Sequence, residues 1–205
     1  AGQHLAGGGD RICEKLKTAL SSRDVDVHTV SCLGRCEQAP ALAINEVVIP
    51  GNDPKQIEDF ARNPKQIPQN RSASPRRWAI DPYEQFADHY RLIKRLRSGE
   101  KFDVIASLKQ SGLRGMGGAA FPTGVKWDLV SKQSDPVKYV VCNADESEPG
   151  TFKDRVILAE LAHLVVEGVL IAAEVIGARS STIFIRHEYG PERQVLAAEI
   201  EKARH

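Results

Sequence analysis

The chain has 205 residues, with 28 Lys and Arg against 27 Asp and Glu and a formal net charge of +1. This balance excludes a global field that would attract nucleic acid or an anionic membrane, and no apolar run reaches the ~20 residues that span a bilayer. Four cysteines are too few to predict a disulfide framework at this length. We therefore expect a globular cytoplasmic protein, or one peripheral to the cytoplasmic side of a membrane complex, without direct membrane insertion.

The first segment, residues 1–52, has the pattern of a small α/β domain. Asp10 is a suitable N-cap for a helix, and apolar residues recur every four positions on one face of it: Ile12, Leu16 and Leu20. Strict alternation over residues 24–30 predicts a half-buried strand. The apolar runs 41–44 and 47–49 predict a β-hairpin with a two-residue turn.

Residues 53–77 differ in composition, because four prolines alternate there with polar and basic side chains. This pattern predicts a linker or extended surface strap, with a short helix around residues 57–61.

Residues 78–205 have the pattern of a second domain. Helices are predicted over 83–96, 103–111, 152–176 and 192–203, and buried strands over 139–142 and 182–185. Gly177 is the expected C-terminal stop of the third of these helices. The alternation of strands and helices predicts a parallel α/β sheet with crossover helices.

A glycine-rich stretch, residues 113–127, is the first candidate for a binding site. Because glycine has no Cβ, a ligand can approach its backbone closely, and the backbone amides can turn toward an anion. Lys126 adds a positive charge within reach of such a loop. A phosphate-bearing cofactor is the expected guest, and a plain tight turn is the alternative.

A polar and acidic stretch, residues 143–148, follows the first predicted strand of this domain. In open α/β sheets ligands bind outside the carboxyl ends of the strands. The alternative is a helix N-terminus, where the helix dipole favours acidic side chains.

Together these two stretches resemble the flavoprotein subunits of respiratory complex I and of NAD-linked formate dehydrogenases and hydrogenases. The resemblance to this family implies a Rossmann-like FMN-binding domain that passes hydride between NAD(H) and FMN, with electrons leaving through iron–sulfur clusters and no catalytic side chain. It places FMN contacts at Gly115, Gly117, Gly118, Lys126, Asn143, Asp145 and Glu146. It places Phe121 and Glu148 beside the NADH site.

A third motif, Cys32 and Cys36 with three residues between them, resembles the thioredoxin-like 2Fe-2S ferredoxin domain that accompanies this flavoprotein. The resemblance implies two further cysteine ligands, one near Gln3 and one before Ala1, and this chain has neither. Cys13 lies inside a predicted helix. Either an outside ligand completes the cluster or none forms, and a cluster-free domain is favoured.

The chain departs from the family in two further ways. Met116 stands where complex I members have Arg, which favours a formate dehydrogenase or hydrogenase assembly with other electron-transfer subunits as partners. No sequence follows His205 that would complete the flavin site or bind a 4Fe-4S cluster. The chain is therefore expected to be an N-terminal piece of a diaphorase subunit, with a cofactor-free structural or interaction fragment as the alternative.

Overall fold

The computed structural model describes residues 9–21, 25–30, 32–44, 47–66 and 77–204. The chain divides into two compact units. The first unit comprises Ala1–Pro75, Glu146–Arg155 and Arg186–Gly190, and the second comprises Arg76–Asp145, Val156–Ile185 and Pro191–His205. Two segments from the second half of the chain thus belong to the first unit.

The first unit is built on two helices and a hairpin. Its elements are α1 (Gly9–Leu20), the antiparallel strands β1 (Ala41–Ile44) and β2 (Val47–Pro50), and α2 (Pro54–Arg62). Their apolar faces meet in a core of four buried side chains: Leu16, Leu20, Ile49 and Ile57. The predicted α1 helix and β-hairpin are confirmed, although the turn at residues 45–46 lies outside the described residues.

The strand predicted over residues 24–30 is wrong. Residues 25–30 have no regular structure, and residue 24 lies outside the described part of the chain. Val25 and Val30 are 38% and 54% exposed. Period-two alternation stabilises a strand only when a neighbouring strand pairs with it, and no strand pairs with residues 25–30 in the described structure.

Helix α2 lies in the segment that the composition marks as a linker. Asp53 caps it, since its carboxylate accepts hydrogen bonds from the Lys55 and Gln56 amides at 3.0 and 3.2 Å. Ile57 is 1% exposed and belongs to the core of the first unit. The predicted short helix is therefore present, while residues 67–76 lie outside the described structure and the domain limits stay a prediction.

The second unit is organised around a long apolar helix. In chain order the elements are α3 (Arg91–Arg97), α4 (Val104–Ser111), α5 (Thr123–Ser131), β3 (Tyr139–Ala144), α6 (Lys153–Glu160), α7 (Ala162–Ile176), β4 (Ser180–Ile185) and α8 (Gly190–Ala203). Helix α7 contacts α3, α5 and both strands. Strands β3 and β4 pair in parallel, as predicted, with Val141 opposite Thr182.

The prediction that both strands are buried is wrong for one face of this sheet. Tyr139, Val141 and Phe184 are 61%, 69% and 56% exposed. They stand on one side by the period of two along each strand. Helix α7 contacts both strands. The sheet is therefore covered on one face, and its other face is open in the described residues.

Two of the predicted helices are shorter than the sequence indicates. The helix expected over 83–96 is reduced to a 3-10 turn (Phe86–Asp88) and α3, because Tyr90 adopts a left-handed conformation with φ 64°. The helix expected over 152–176 is divided at Leu161 into α6 and α7, which are bent by 93°. Gly177 ends α7 with φ 67°, as predicted, and α5 was not predicted at all.

None of the helices in the described ranges is by itself long and apolar enough to cross a membrane. The pair α6 and α7 meets that criterion of length and composition only when both are taken together across their bend.

A buried carboxylate connects α7 to the start of α3. Glu167 is 4% exposed. One of its oxygens accepts hydrogen bonds from the Leu92 and Ile93 amides at 3.0 and 3.1 Å, and the other accepts one from the Tyr83 hydroxyl at 2.5 Å. Burial and this hydrogen bond raise the pKa of Tyr83 to about 12. Glu167 thus satisfies the first amides of α3, where Tyr90 offers no side-chain cap.

We expect Glu167→Ala to lower the free energy of unfolding by about 3 kcal/mol, since it leaves buried amides and a hydroxyl unpaired. Urea denaturation measures the loss. Glu174→Ala on the same helix is the matched control. Glu174 is exposed and pairs with Arg97 at the surface, so its loss is expected to cost below about 0.5 kcal/mol. Equal losses in the two variants would contradict the capping role.

Two histidines stack beside Tyr83, the residue whose hydroxyl donates to Glu167. The rings of His89 and His163 lie 3.8 Å apart and 7° from parallel. His163 Nε2 lies 3.0 Å from Asp81 Oδ2, as expected for a satisfied core histidine, whereas the buried Nδ1 of His89 has no partner in the described structure. Burial lowers the pKa of His89, and the neighbouring His163 lowers it further.

Stability is therefore expected to fall with acid. Because the pKa of His89 is lower in the folded than in the unfolded chain, the unfolded state binds the proton first, and stability is lost as the pH falls below ~6.5. His89→Phe keeps a stacked ring and removes the titration, so it is expected to flatten this slope by up to ~1.4 kcal/mol per pH unit. Urea midpoints between pH 7.5 and 5 measure it. The slope should stay unchanged in Phe86→Leu, which alters another ring beside His89 and removes no titratable group.

Candidate functional site

The glycine loop, residues 113–122, is closed at its base by the backbone. The Gly115 amide donates to the Phe121 carbonyl and the Thr123 amide to the Leu113 carbonyl, both at 2.9 Å. Arg114 forms an antiparallel bridge with Pro122. Every residue from 111 to 121 is exposed, so the tip of the loop is available to a ligand.

The glycines of this region differ in what surrounds them. A Cβ added at Gly117 or Gly118 would meet nothing within 4 Å, and Gly118 has φ +95°. At Gly124, by contrast, a Cβ would lie 2.6 Å from the Lys109 amide nitrogen, so this glycine lets α5 approach α4. The packing role of Gly124 was missed, because nothing in the local sequence shows which helices cross.

The side chains beside the loop suit a ligand with a ring and an anionic group. Lys126 is exposed in the first turn of α5. Phe121 and Leu129 are 49% and 53% exposed, and Met116 is 82% exposed. An exposed glycine backbone, one lysine and exposed apolar side chains are the kinds of group that bind a phosphate and a ring system.

The polar residues predicted to follow the first strand begin inside it, because β3 continues to Ala144 and includes Asn143. Asn143 is exposed, and its Oδ1 accepts a hydrogen bond from the Asp145 amide at 3.1 Å. This turn directs the chain out of the sheet at its carboxyl edge, the usual ligand edge of a parallel sheet. Glu148 is exposed in the following loop.

Glu146 has a structural role. Its side chain is 1% exposed, and its carboxylate accepts hydrogen bonds from the Asp154 and Arg155 amides at 2.6 and 3.2 Å. The Tyr189 hydroxyl donates to the same carboxylate at 2.9 Å. Glu146 therefore caps helix α6, as the helix-terminus alternative predicted, and its contact to a flavin stays a prediction.

Three buried residues around Glu146 were missed by the sequence analysis. Arg186 Nη1 donates to the Glu146 carbonyl at 3.0 Å, and Arg155 Nη1 donates to the Gly34 carbonyl at 3.0 Å. Tyr189 is fully buried. Burial and its hydrogen bond to Glu146 raise the pKa of Tyr189. Arg186 and Tyr189 follow the end of β4. Their position after a strand is a sequence signal for a polar site, but it does not pair them with Glu146.

Arg186 also forms an ion pair with its near neighbour Glu188, at 3.0 and 3.1 Å. The guanidinium lowers the pKa of Glu188, and the hydrogen bonds of this pair raise that of Arg186. Both side chains stay charged across the physiological range of pH.

The cysteine loop, residues 32–38, does not fit a four-thiolate cluster made from this chain alone. Cys32 and Cys36 lie in it, but Cys13 is 7% exposed in the core face of α1. The described residues contain no group of three or more His, Cys, Asp or Glu that could hold a metal. Residues 1–8, outside the described structure, contain no cysteine.

The predicted site residues fall into two sets. The glycine loop, Lys126, Asn143 and Asp145 belong to the second unit. Glu146, Glu148 and the cysteine loop belong to the first unit.

A backbone feature of the glycine loop yields a stability test. Ala120 has φ 50°, a conformation that costs a non-glycine residue ~1 kcal/mol. We expect Ala120→Gly to be neutral or to stabilise by up to ~0.5 kcal/mol, because relief of strain offsets the added entropy of the unfolded chain. Ala106→Gly inside α4 is the control, with an expected loss of ~1 kcal/mol. Urea denaturation compares the free energies of unfolding of the two variants. An equal loss of stability in both would contradict the left-handed conformation of Ala120.

Comparison with known proteins defines the class. Residues 108–205 match the family model described as the Nuo51 FMN-binding domain, and residues 6–65 match that of the thioredoxin-like 2Fe-2S ferredoxin. The two segments are similar to these families, in the order that the sequence predicted. The resemblance inferred from the glycine-rich and cysteine motifs is thereby confirmed.

The similar proteins are components of larger enzymes. The chain is 42% identical over 134 residues to an NADH-quinone oxidoreductase subunit of Aquifex aeolicus (strain VF5), which covers 65% of this chain and 31% of that protein. It is 52% identical over 100 residues to the corresponding protein of Rhodobacter capsulatus, covering 48% and 23%. The chain thus spans less than a third of the length of these relatives.

A solved structure matches almost the whole chain. The crystal structure of an NAD+-reducing NiFe-hydrogenase in the H2-reduced state aligns with a TM-score of 0.77 at 28% identity. The alignment covers 97% of this chain and 38% of the hydrogenase chain. The predicted fold, a thioredoxin-like domain followed by an α/β FMN-binding domain, is confirmed.

Proposed function

We propose that the chain forms the flavin-binding front part of an NADH:acceptor oxidoreductase, a diaphorase module. The observation that carries the proposal is the match to the FMN-binding family over residues 108–205, which contains the open, exposed glycine loop. Bound FMN would supply the hydride-accepting chemistry and pass electrons onward one at a time. The chain's own residues would bind and orient the flavin and NAD(H).

We assign the phosphate end of the flavin to the glycine loop. A Cβ at Gly117 or Gly118 would meet nothing within 4 Å, so a ligand has room to approach the backbone there, and Lys126 supplies the positive charge. Asn143 and Asp145 would contact the flavin ring and ribityl chain from the end of β3. Phe121 and Glu148, both exposed, would lie beside the nicotinamide nucleotide.

The partners we propose are the other electron-transfer subunits of a multisubunit enzyme, because the relatives belong to such enzymes by name. These relatives are a quinone-linked NADH dehydrogenase and an NAD+-reducing hydrogenase. The preference for a formate dehydrogenase or hydrogenase assembly, based on Met116, stays a prediction, as does a cytoplasmic location.

A second candidate is a cofactor-free structural or interaction piece of such a subunit. The capping role of Glu146 favours it, since that carboxylate is buried and already accepts three hydrogen bonds. The two candidates differ in one property, which is whether the 205-residue chain retains FMN.

The test is flavin binding by the purified chain. FMN titration followed by fluorescence, acid release of bound cofactor and bleaching by NADH together measure it. Gly118→Val is expected to weaken FMN binding at least about tenfold, because a β-branched side chain at φ +95° distorts the loop at a cost of at least ~1.4 kcal/mol.

Gly168→Val is the control, since a Cβ there also meets nothing within 4 Å but lies on helix α7 outside the loop. A chain that binds no FMN would favour the structural candidate. A chain in which Gly118→Val binds FMN normally would overturn the assignment of the loop.

A further inference from the structure

The cysteine loop carries two sulfur atoms that have a use other than ligating iron. The Gly34 amide donates to Cys32 Sγ at 3.3 Å. The Gly150 amide donates to Cys36 Sγ at 3.3 Å, across 114 positions of sequence. The second bond connects the cysteine loop to the acidic loop, Glu146–Arg155, within the first unit.

A second hydrogen bond joins the same two loops. Arg155 is 8% exposed, and its Nη1 donates to the Gly34 carbonyl at 3.0 Å. Acceptors of this kind stabilise a buried guanidinium. The acidic loop is thus connected at Gly150 in its middle and at Arg155 at its end.

The shape of the cysteine loop is matched to these contacts. Gly34 has φ +65°, and a Cβ there would lie 2.8 Å from Tyr189 Cε1. Tyr189 in turn donates to the Glu146 carboxylate at 2.9 Å. Only glycine permits both the left-handed conformation and this close approach. The cysteine loop therefore packs against the side chain that orients Glu146.

We propose that the cysteine loop is an iron-free anchor that positions the acidic loop, with Cys36 as a positioning residue acting through the Gly150 amide. The two sulfur atoms serve as hydrogen-bond acceptors. Insofar as the proposed function holds, the anchor fixes the loop that carries Glu148, the residue proposed to contact NADH. The anchor itself requires neither flavin nor iron.

Hydrogen–deuterium exchange of the full 205-residue chain, reduced and free of added metal, tests the positioning role. Cys36→Ala is expected to speed exchange of the Gly150 amide about fivefold, the loss of one hydrogen bond of ~1 kcal/mol. Cys36→Ser retains an acceptor and is expected to restore at least half of the protection. Cys142→Ala is the control, because it removes a thiol in β3 of the second unit and should leave exchange at Gly150 unchanged. Unchanged exchange at Gly150 in Cys36→Ala would overturn the proposal.

Anaerobic reconstitution with ferrous iron and sulfide tests the iron-free state on the unaltered chain, so it remains decisive even where Cys36→Ala does not fold. We expect no thiolate-to-iron charge-transfer absorption, and both Cys32 and Cys36 alkylated as fast as before reconstitution. A visible cluster spectrum with protection of both cysteines would overturn the proposal. Neither measurement involves FMN, so failure of the proposed function would leave both readouts intact.

Discussion

The buried carboxylate of Glu167 is the constraint around which the second unit is arranged. A charge at 4% exposure is tolerated only when donors surround it, and here the donors are two backbone amides at the start of α3 and the Tyr83 hydroxyl. Helix α3 therefore cannot shift along α7 without leaving that charge unpaired. Since α7 also contacts β3, β4 and α5, the same helix carries the scaffold of the candidate flavin site.

Glu146 repeats this arrangement in the first unit. Its carboxylate caps α6 and accepts the Tyr189 hydroxyl, and Arg186 holds its backbone carbonyl. The two glutamates differ in what they organise. Glu167 orders the contact of α3 with α7, whereas Glu146 orders the loop that follows β3 in the chain.

Much of the fold could be predicted from local patterns. The four-residue spacing in α1, the Asp103 cap of α4 and the Gly177 stop of α7 all depend on neighbours in sequence. The wrong predictions of secondary structure arose where contacts between residues far apart in sequence determine the local conformation. The alternating residues 25–30 pair with no described strand, and Tyr90 adopts φ 64° where Glu167 replaces a local cap.

The candidate site shows the same division. The glycine loop and the end of β3 could be proposed from the sequence, because residue type and position after a strand suffice to indicate them. The partners of Glu146 could not be found, since Tyr189 and Arg186 lie 43 and 40 positions away along the chain. The link from Cys36 to Gly150 spans 114 positions and has no sequence signal either.

The open face of the β3–β4 sheet has a practical consequence for handling the isolated chain. Tyr139, Val141 and Phe184 form an exposed apolar patch on one face of the sheet. Parallel sheets are usually covered on both faces. Two copies that meet there bury aromatic and aliphatic area that water otherwise surrounds. The formal net charge of +1 supplies little repulsion between copies, so low protein concentration is the condition that favours dispersed molecules.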